Sequence, residues 1–103
     1  MNEKQYEIYW VDLNPTRGSE MNKIRPCVIV SPDDMNKYLN TILVAPITST
    51  KKMYPFRVTC TIGNIALDQL RTVDKTRLRD FIQILPSITI FEVKRVINEM
   101  LVK

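Results

Sequence analysis

The sequence predicts an α+β fold: a small, strongly twisted, mostly antiparallel sheet or partial barrel, followed by a C-terminal helix. Three observations carry that expectation. Five or six short runs rich in Val, Ile and Thr follow one another through residues 6–85, bounded by turn residues. A long polar stretch separates the first run from the second. Only after Pro86 does the apolar spacing change to that of a helix. With 103 residues and 45% hydrophobic content, the chain has material for one core and not two, so a single domain over residues 1–103 is expected.

In order, YEIYWVDL (6–13) sets Tyr6, Ile8 and Trp10 on one face and Tyr9, Val11 and Leu13 on the other. Both faces are apolar, which marks a central strand. Residues 14–24 collect Asn, Pro, Thr, Gly, Ser and charges, and form a loop. CVIVS (27–31) is a buried strand, ended by PDDMN. TILVAPITS (41–49), PFRVTCTI (55–62) and IALDQLRTV (65–73) are three further strands. RLRDFIQIL (77–85) fits either a short last strand or a helical turn. Beyond Pro86, Ile90, Val93, Ile97 and Met100 or Leu101 make one stripe, and Thr89 and Glu92 have capping-box spacing, so a helix is expected over 90–101.

Composition narrows the chemistry. Fifteen Lys and Arg against eleven Asp and Glu give a net charge of +4, spread along the chain, which permits a polyanionic partner without requiring one. There is no histidine, so the usual general acid and base and the commonest transition-metal ligand are both absent. Cys27 and Cys60 sit in apolar runs without metal-ligand spacing and read as small buried hydrophobes in a reduced chain. The first twenty residues carry Glu3, Lys4, Glu7 and Asp12, unlike a secretory signal, and no apolar run approaches the roughly 20 residues of a membrane helix. A cytoplasmic location is expected.

With only Gly18 and Gly63, no glycine-rich phosphate loop can form, and neither a metal-ligand cluster nor a paired-carboxylate motif is present. What remains is polar residues at strand ends. Pro26 forces Arg25 into extended geometry, so the backbone sets the direction of this arginine; an ordinary edge arginine is the plainer reading. Thr48 stands where an apolar strand gives way to hydroxyls, as turn threonines also do. Asp68, Gln69 and Arg71 interrupt a β-like segment, and one of them is in a position to pair with Arg25 across the sheet. Ser19 and Glu20 follow Gly18, and Glu20 reads as a base, an orienter for Arg25 or a solvated carboxylate.

Together, EIYWVDLNP, GSE, RPCVIVSP, VAPITS, YPFRV and LDQLRTVDKTRL, in that order and spacing from Glu7 to Leu78, resemble the MazF/PemK family of toxin endoribonucleases from bacterial toxin–antitoxin pairs. The resemblance implies an SH3-like barrel with helices, acting as a homodimer. It implies cleavage of single-stranded RNA at short sequences without metal or other cofactor, the 2′-hydroxyl attacking phosphorus to leave a cyclic phosphate and a 5′-hydroxyl. It assigns charge stabilisation to Arg25, a phosphate contact to Thr48, and a base or orienting role to Glu20. Arg17, Ser19, Lys23, Ser49, Lys51, Lys52, Asp68 and Gln69 are the implied RNA-binding residues. Some relatives have histidine at the position of Ser19 or arginine at that of Ala66, which leaves the general base open; Met21 and Tyr6 stand where glutamine and glycine are usual. The implied partner is an antitoxin whose acidic, flexible segment covers the basic groove. Two rival readings share the fold: a gyrase-poisoning toxin that cleaves nothing, and a non-catalytic SH3-like binding module.

Overall fold

The computed structural model describes residues 3–15, 23–50 and 54–102. Its strands are β1 (Glu7–Asp12), β2 (Ile24–Ile29), β3 (Thr41–Thr48), β4 (Arg57–Cys60), β5 (Gly63–Ala66), β6 (Arg71–Asp74) and β7 (Leu78–Ile84). The helices are α1 (Asp33–Tyr38) and α2 (Ser87–Ile97). All strand pairs are antiparallel, in the order β4-β5-β3-β2-β1-β7, and β6 lies against the other half of β3.

The two borders explain the shape. β6 flanks β3, β7 flanks β1, and only the 3₁₀ turn Lys75–Arg77 joins them, so five strands curl into a partial barrel. Alternation then splits the core in two. Tyr9, Val11, Cys27, Ile29, Ile42, Val44 and Val73 fill the inside of the curl with Leu13 and Leu78. Ile8, Val28, Ala45, Ile47 and Ile65 point outward, where Val93 and Val96 of α2 cover them. The expectation of a strand apolar on both faces holds for β1, which lies between β2 and β7.

Several boundaries differ from the sequence reading. β1 starts at Glu7 because Tyr6 has a φ of 71°, a left-handed backbone at a position with a large side chain. Its N–H donates to the Ile29 carbonyl at 2.7 Å and its carbonyl accepts from Leu85 at 3.0 Å, so the conformation is held from both sides. PDDMN does not merely end a strand. Behind Pro32 it starts α1, whose Asn36 is buried and bonded to Ser31 and to the Glu3 carbonyl.

Residues 65–73 are two strands rather than one. β5 pairs with Ile47 and Thr48 while β6 pairs with Thr41–Val44, so the chain crosses between the two halves of β3 through a 3₁₀ turn, Leu67–Gln69. The ambiguous 77–85 segment is a strand, β7, bulged twice against β1. The C-terminal helix begins at Ser87, directly after Pro86, and ends in a wide π-type turn, Asn98–Val102. Thr89 therefore lies inside the helix and caps nothing, and Glu92 pairs with Arg95 at 3.0 Å. Of the predicted stripe, Val93 is buried, Ile90, Ile97 and Met100 pack at the core's margin, and Leu101 is exposed.

Candidate functional site

At one mouth of the curl lies a groove of about 530 Å³, lined by Leu13, Pro15, Lys23, Arg25, Pro46, Ile47, Thr48, Thr50, Arg57, Gln69 and Arg71. Arg25 stands in β2 opposite Val11, on the same face of the sheet as Cys27. Cys27 pairs with Pro46 of β3, where the β2–β3 ladder ends, and just beyond it Arg25 and Thr48 both line the groove. Pro26 stands within β2 opposite Trp10, and Arg25 before it is in the extended geometry that the dipeptide predicts.

The Thr48 hydroxyl accepts from the Thr50 N–H at 3.1 Å and lies 3.1 Å from the Thr50 hydroxyl. The turn fixes the oxygen, and the hydroxyl proton, which Thr48 gives here to the Thr50 hydroxyl, can be turned to a ligand only by giving up that bond. The far wall is braced by Asn64, which donates to the Thr50 carbonyl at 2.9 Å and whose Oδ1 lies 3.0 Å from the Thr59 hydroxyl.

The entrance to the first loop is fixed by a carboxylate. Asp12, 4% exposed, accepts from the Asn14 N–H and side-chain amide at 2.9 and 2.8 Å, and from Arg79 at 3.2 Å. Those two Asn14 bonds, with Arg77 and Arg79 adding to them against the cost of burial, hold its carboxyl below the usual carboxylate range. Arg77 also clamps the Asn14 carbonyl at 2.6 Å, and the Leu13 N–H meets the Lys23 carbonyl at 2.9 Å, so both ends of the segment are pinned to the barrel.

Four of the residues expected at the site, Arg25, Thr48, Lys23 and Gln69, come together in this groove. Asp68 does not pair with Arg25. Its carboxylate takes two hydrogen bonds from Arg57, at 3.0 and 3.3 Å, and the guanidinium also lies over the Tyr54 ring, 4.7 Å from its centroid. The Arg57 bond is the main cause of Asp68's lowered pKa. Ser49 is exposed at the end of β3 and is not part of the groove's lining. Arg17, Ser19, Glu20, Lys51 and Lys52 lie outside the described residues.

Sequence reasoning missed Arg57 and did not place Arg71 in the site, although both open short strands where an apolar run turns polar. Cys27 is fully buried, as expected, and burial pushes its thiol up to about 12. Cys60 is only partly buried. Among the described residues no group of three or more His, Cys, Asp and Glu side chains could hold a metal ion, and no helix is long and apolar enough to cross a membrane. The arrangement can bind an extended anion: cations on three strands face one groove, with a fixed hydroxyl beside one of them.

Comparison with known proteins agrees with this geometry. A family model described as PemK-like, MazF-like toxin of type II toxin–antitoxin system matches residues 4–101. A protein of Staphylococcus saprophyticus named Endoribonuclease MazF is 36% identical over 102 residues, covering 89% of this chain and 85% of that one. A protein of the same name from Staphylococcus epidermidis is 34% identical over the same shares. Among solved structures, a MazE–MazF crystal from Deinococcus radiodurans superposes with a TM-score of 0.82 at 24% identity, covering 98% of this chain and 97% of that chain. A mycobacterial endoribonuclease in complex with its cognate antitoxin gives 0.81 at 18% identity, covering 96% and 94%. At those identities the structural likeness speaks for the fold.

Proposed function

This chain belongs to the PemK-like, MazF-like toxins of type II toxin–antitoxin systems, and on that premise we propose that it is an endoribonuclease that cuts single-stranded RNA at short sequences. The observation that carries the reading is the groove in which Arg25 and Thr48 meet, on a chain whose Staphylococcus relatives are named endoribonucleases.

The reaction proposed is attack of a ribose 2′-hydroxyl on the adjacent phosphorus. The new O2′–P bond closes a 2′,3′-cyclic phosphate as the P–O5′ bond breaks; the 2′-hydroxyl gives its proton to a base, and the leaving 5′-oxygen takes one up to become a hydroxyl. The nucleophile belongs to the substrate, so the protein's tasks are to orient it, move protons and stabilise charge. The Arg25 guanidinium supplies positive charge to the phosphorane, a role for which a metal ion is not required. Thr48 donates its hydroxyl to a non-bridging oxygen. Glu20 is the carboxylate proposed as base or orienter, and Lys23, Gln69, Arg17, Ser19, Ser49, Lys51 and Lys52 are the residues proposed to bind the RNA. Asp68 acts at one remove, by fixing Arg57 in the groove wall. The active unit is proposed to be a homodimer, silenced by an antitoxin with an acidic segment that occupies the same basic groove. Structures of related proteins with MazE or with a cognate antitoxin support an antitoxin as partner.

The test is digestion of a long single-stranded RNA by purified protein in excess EDTA, with the new ends mapped. Recurrent short sites bearing 5′-hydroxyl ends are expected. Intact RNA, or ends carrying a 5′-phosphate, would overturn the reading, and intact RNA from a folded dimer would favour a protein target.

A further inference from the structure

Three arginines line the groove, and they are not alike. Arg57 has its charge committed to Asp68 and its face to Tyr54, and its side chain is only 7% exposed. Arg25 and Arg71 are both exposed, and among the described residues neither has an ion-pair partner.

Strand register sets both charges on the same face of the sheet, lining one groove. Arg71 pairs with Val44 across β3–β6, and Cys27 pairs with Pro46 across β2–β3. Because side chains alternate, Arg25, Cys27, Val44, Pro46, Thr48 and Arg71 all stand on the inner face of the curl. Arg25 and Arg71 thus rise from the two strands that flank β3, offset along its length, and their charges both bear on the buried Cys27 thiol between them. Two exposed cations spaced along one groove give an extended anion two separate points of attachment. A nucleic-acid strand crossing β3 obliquely meets Arg25 beside Thr48 and then Arg71 beside Val44.

We propose that Arg71 is a second phosphate-binding cation of this site, gripping the substrate strand at a phosphate other than the one attacked at Arg25. The inference rests on the ribonuclease reading and adds a division of labour to it. Arg25 meets charge that develops during reaction, whereas Arg71 meets charge present throughout, so Arg71 acts on binding and not on the chemical step.

The experiment compares wild type, Arg71→Gln and Arg71→Lys in steady-state RNA cleavage across a range of salt concentrations. In parallel, binding of a fluorescent single-stranded oligodeoxynucleotide, which lacks the 2′-hydroxyl and so cannot be cut, is measured against salt. Arg71→Gln is expected to raise KM about tenfold, the worth of one charge-assisted contact, with kcat within about twofold of wild type. Its salt slope for the oligodeoxynucleotide should fall by about 0.7, one phosphate contact on a single strand, and Arg71→Lys should restore it. Thermal melting confirms that each variant is folded, as expected for an exposed strand position. Unchanged KM and slope in Arg71→Gln, with active wild type, would overturn the assignment of Arg71 alone. A fall in kcat at constant KM would also overturn it, by moving Arg71 to the scissile phosphate. Wild type that neither cuts RNA nor binds the oligodeoxynucleotide would instead sink the ribonuclease reading beneath it.

Discussion

Replacing Gly63 with alanine tests whether Thr48 is held as rigidly as the proposed chemistry requires. Gly63 ends the β4–β5 turn opposite Cys60 with a φ of +149°, a backbone that side chains rarely adopt. A Cβ built there would lie 2.7 Å from the Thr48 carbonyl oxygen and 2.9 Å from Cγ2 of Ile47, which is itself 3% exposed and has nowhere to swing. The backbone strain costs about 1–3 kcal/mol, and forcing a methyl into filled space costs about as much again. A total near 4 kcal/mol corresponds to a fall in Tm of roughly 16–32 °C for a domain of this size. To make room, β3 must give way by some tenths of an ångström at Thr48 itself. With a loss of about 10² per ångström of misplacement, cleavage should slow several-fold even where the variant is fully folded. Differential scanning calorimetry and single-turnover RNA cleavage, run well below the variant's Tm, measure the two effects separately. A variant that melts with wild type and cuts at the wild-type rate would refute this account of how β5 supports the site.

Val93→Ala removes two buried methyl groups from the contact between α2 and the outer face of the sheet; it should cost about 2–3 kcal/mol in urea unfolding with little change in cleavage by the folded fraction. Asp12 has a lowered pKa in the folded chain, so its contribution to stability is complete above the unfolded value, near 4, and is lost as pH falls through the lower folded value. Asp12→Asn should therefore flatten the loss of stability below about pH 4 while lowering stability at neutral pH, read from urea midpoints between pH 2 and 7. Equal acid sensitivity in the two proteins would show that Asp12 is not the titrating group.

Elements with a single environment were legible in the sequence. β3 and the outer stripe of α2 bury continuous apolar patterns, so hydrophobic spacing and length placed them within a few residues. Elements with two environments were not. IALDQLRTV has one pattern and two pairing partners on β3, and nothing local announces the crossover at Leu67–Gln69. Tyr6 takes its left-handed backbone from hydrogen bonds to Ile29 and Leu85, residues 23 and 79 positions away. The site divides the same way. Arg25 was visible because its neighbour Pro26 constrains it, and Thr48 because the run changes character there. Arg57 and Arg71 are ordinary in sequence and become part of a groove only through strand register, which also gave Asp68 to Arg57 and not to Arg25.

The central claim is that Arg25 supplies the charge on which RNA cleavage depends. The most direct measurement is single-turnover cleavage of a short RNA containing one mapped site, in EDTA, by wild type and by Arg25→Ala at concentrations that saturate both. Loss of one preorganised charge-stabilising donor predicts a fall in rate of about 10²–10³ with the fold unchanged by circular dichroism. A folded Arg25→Ala that cuts the same site at near the wild-type rate would contradict it.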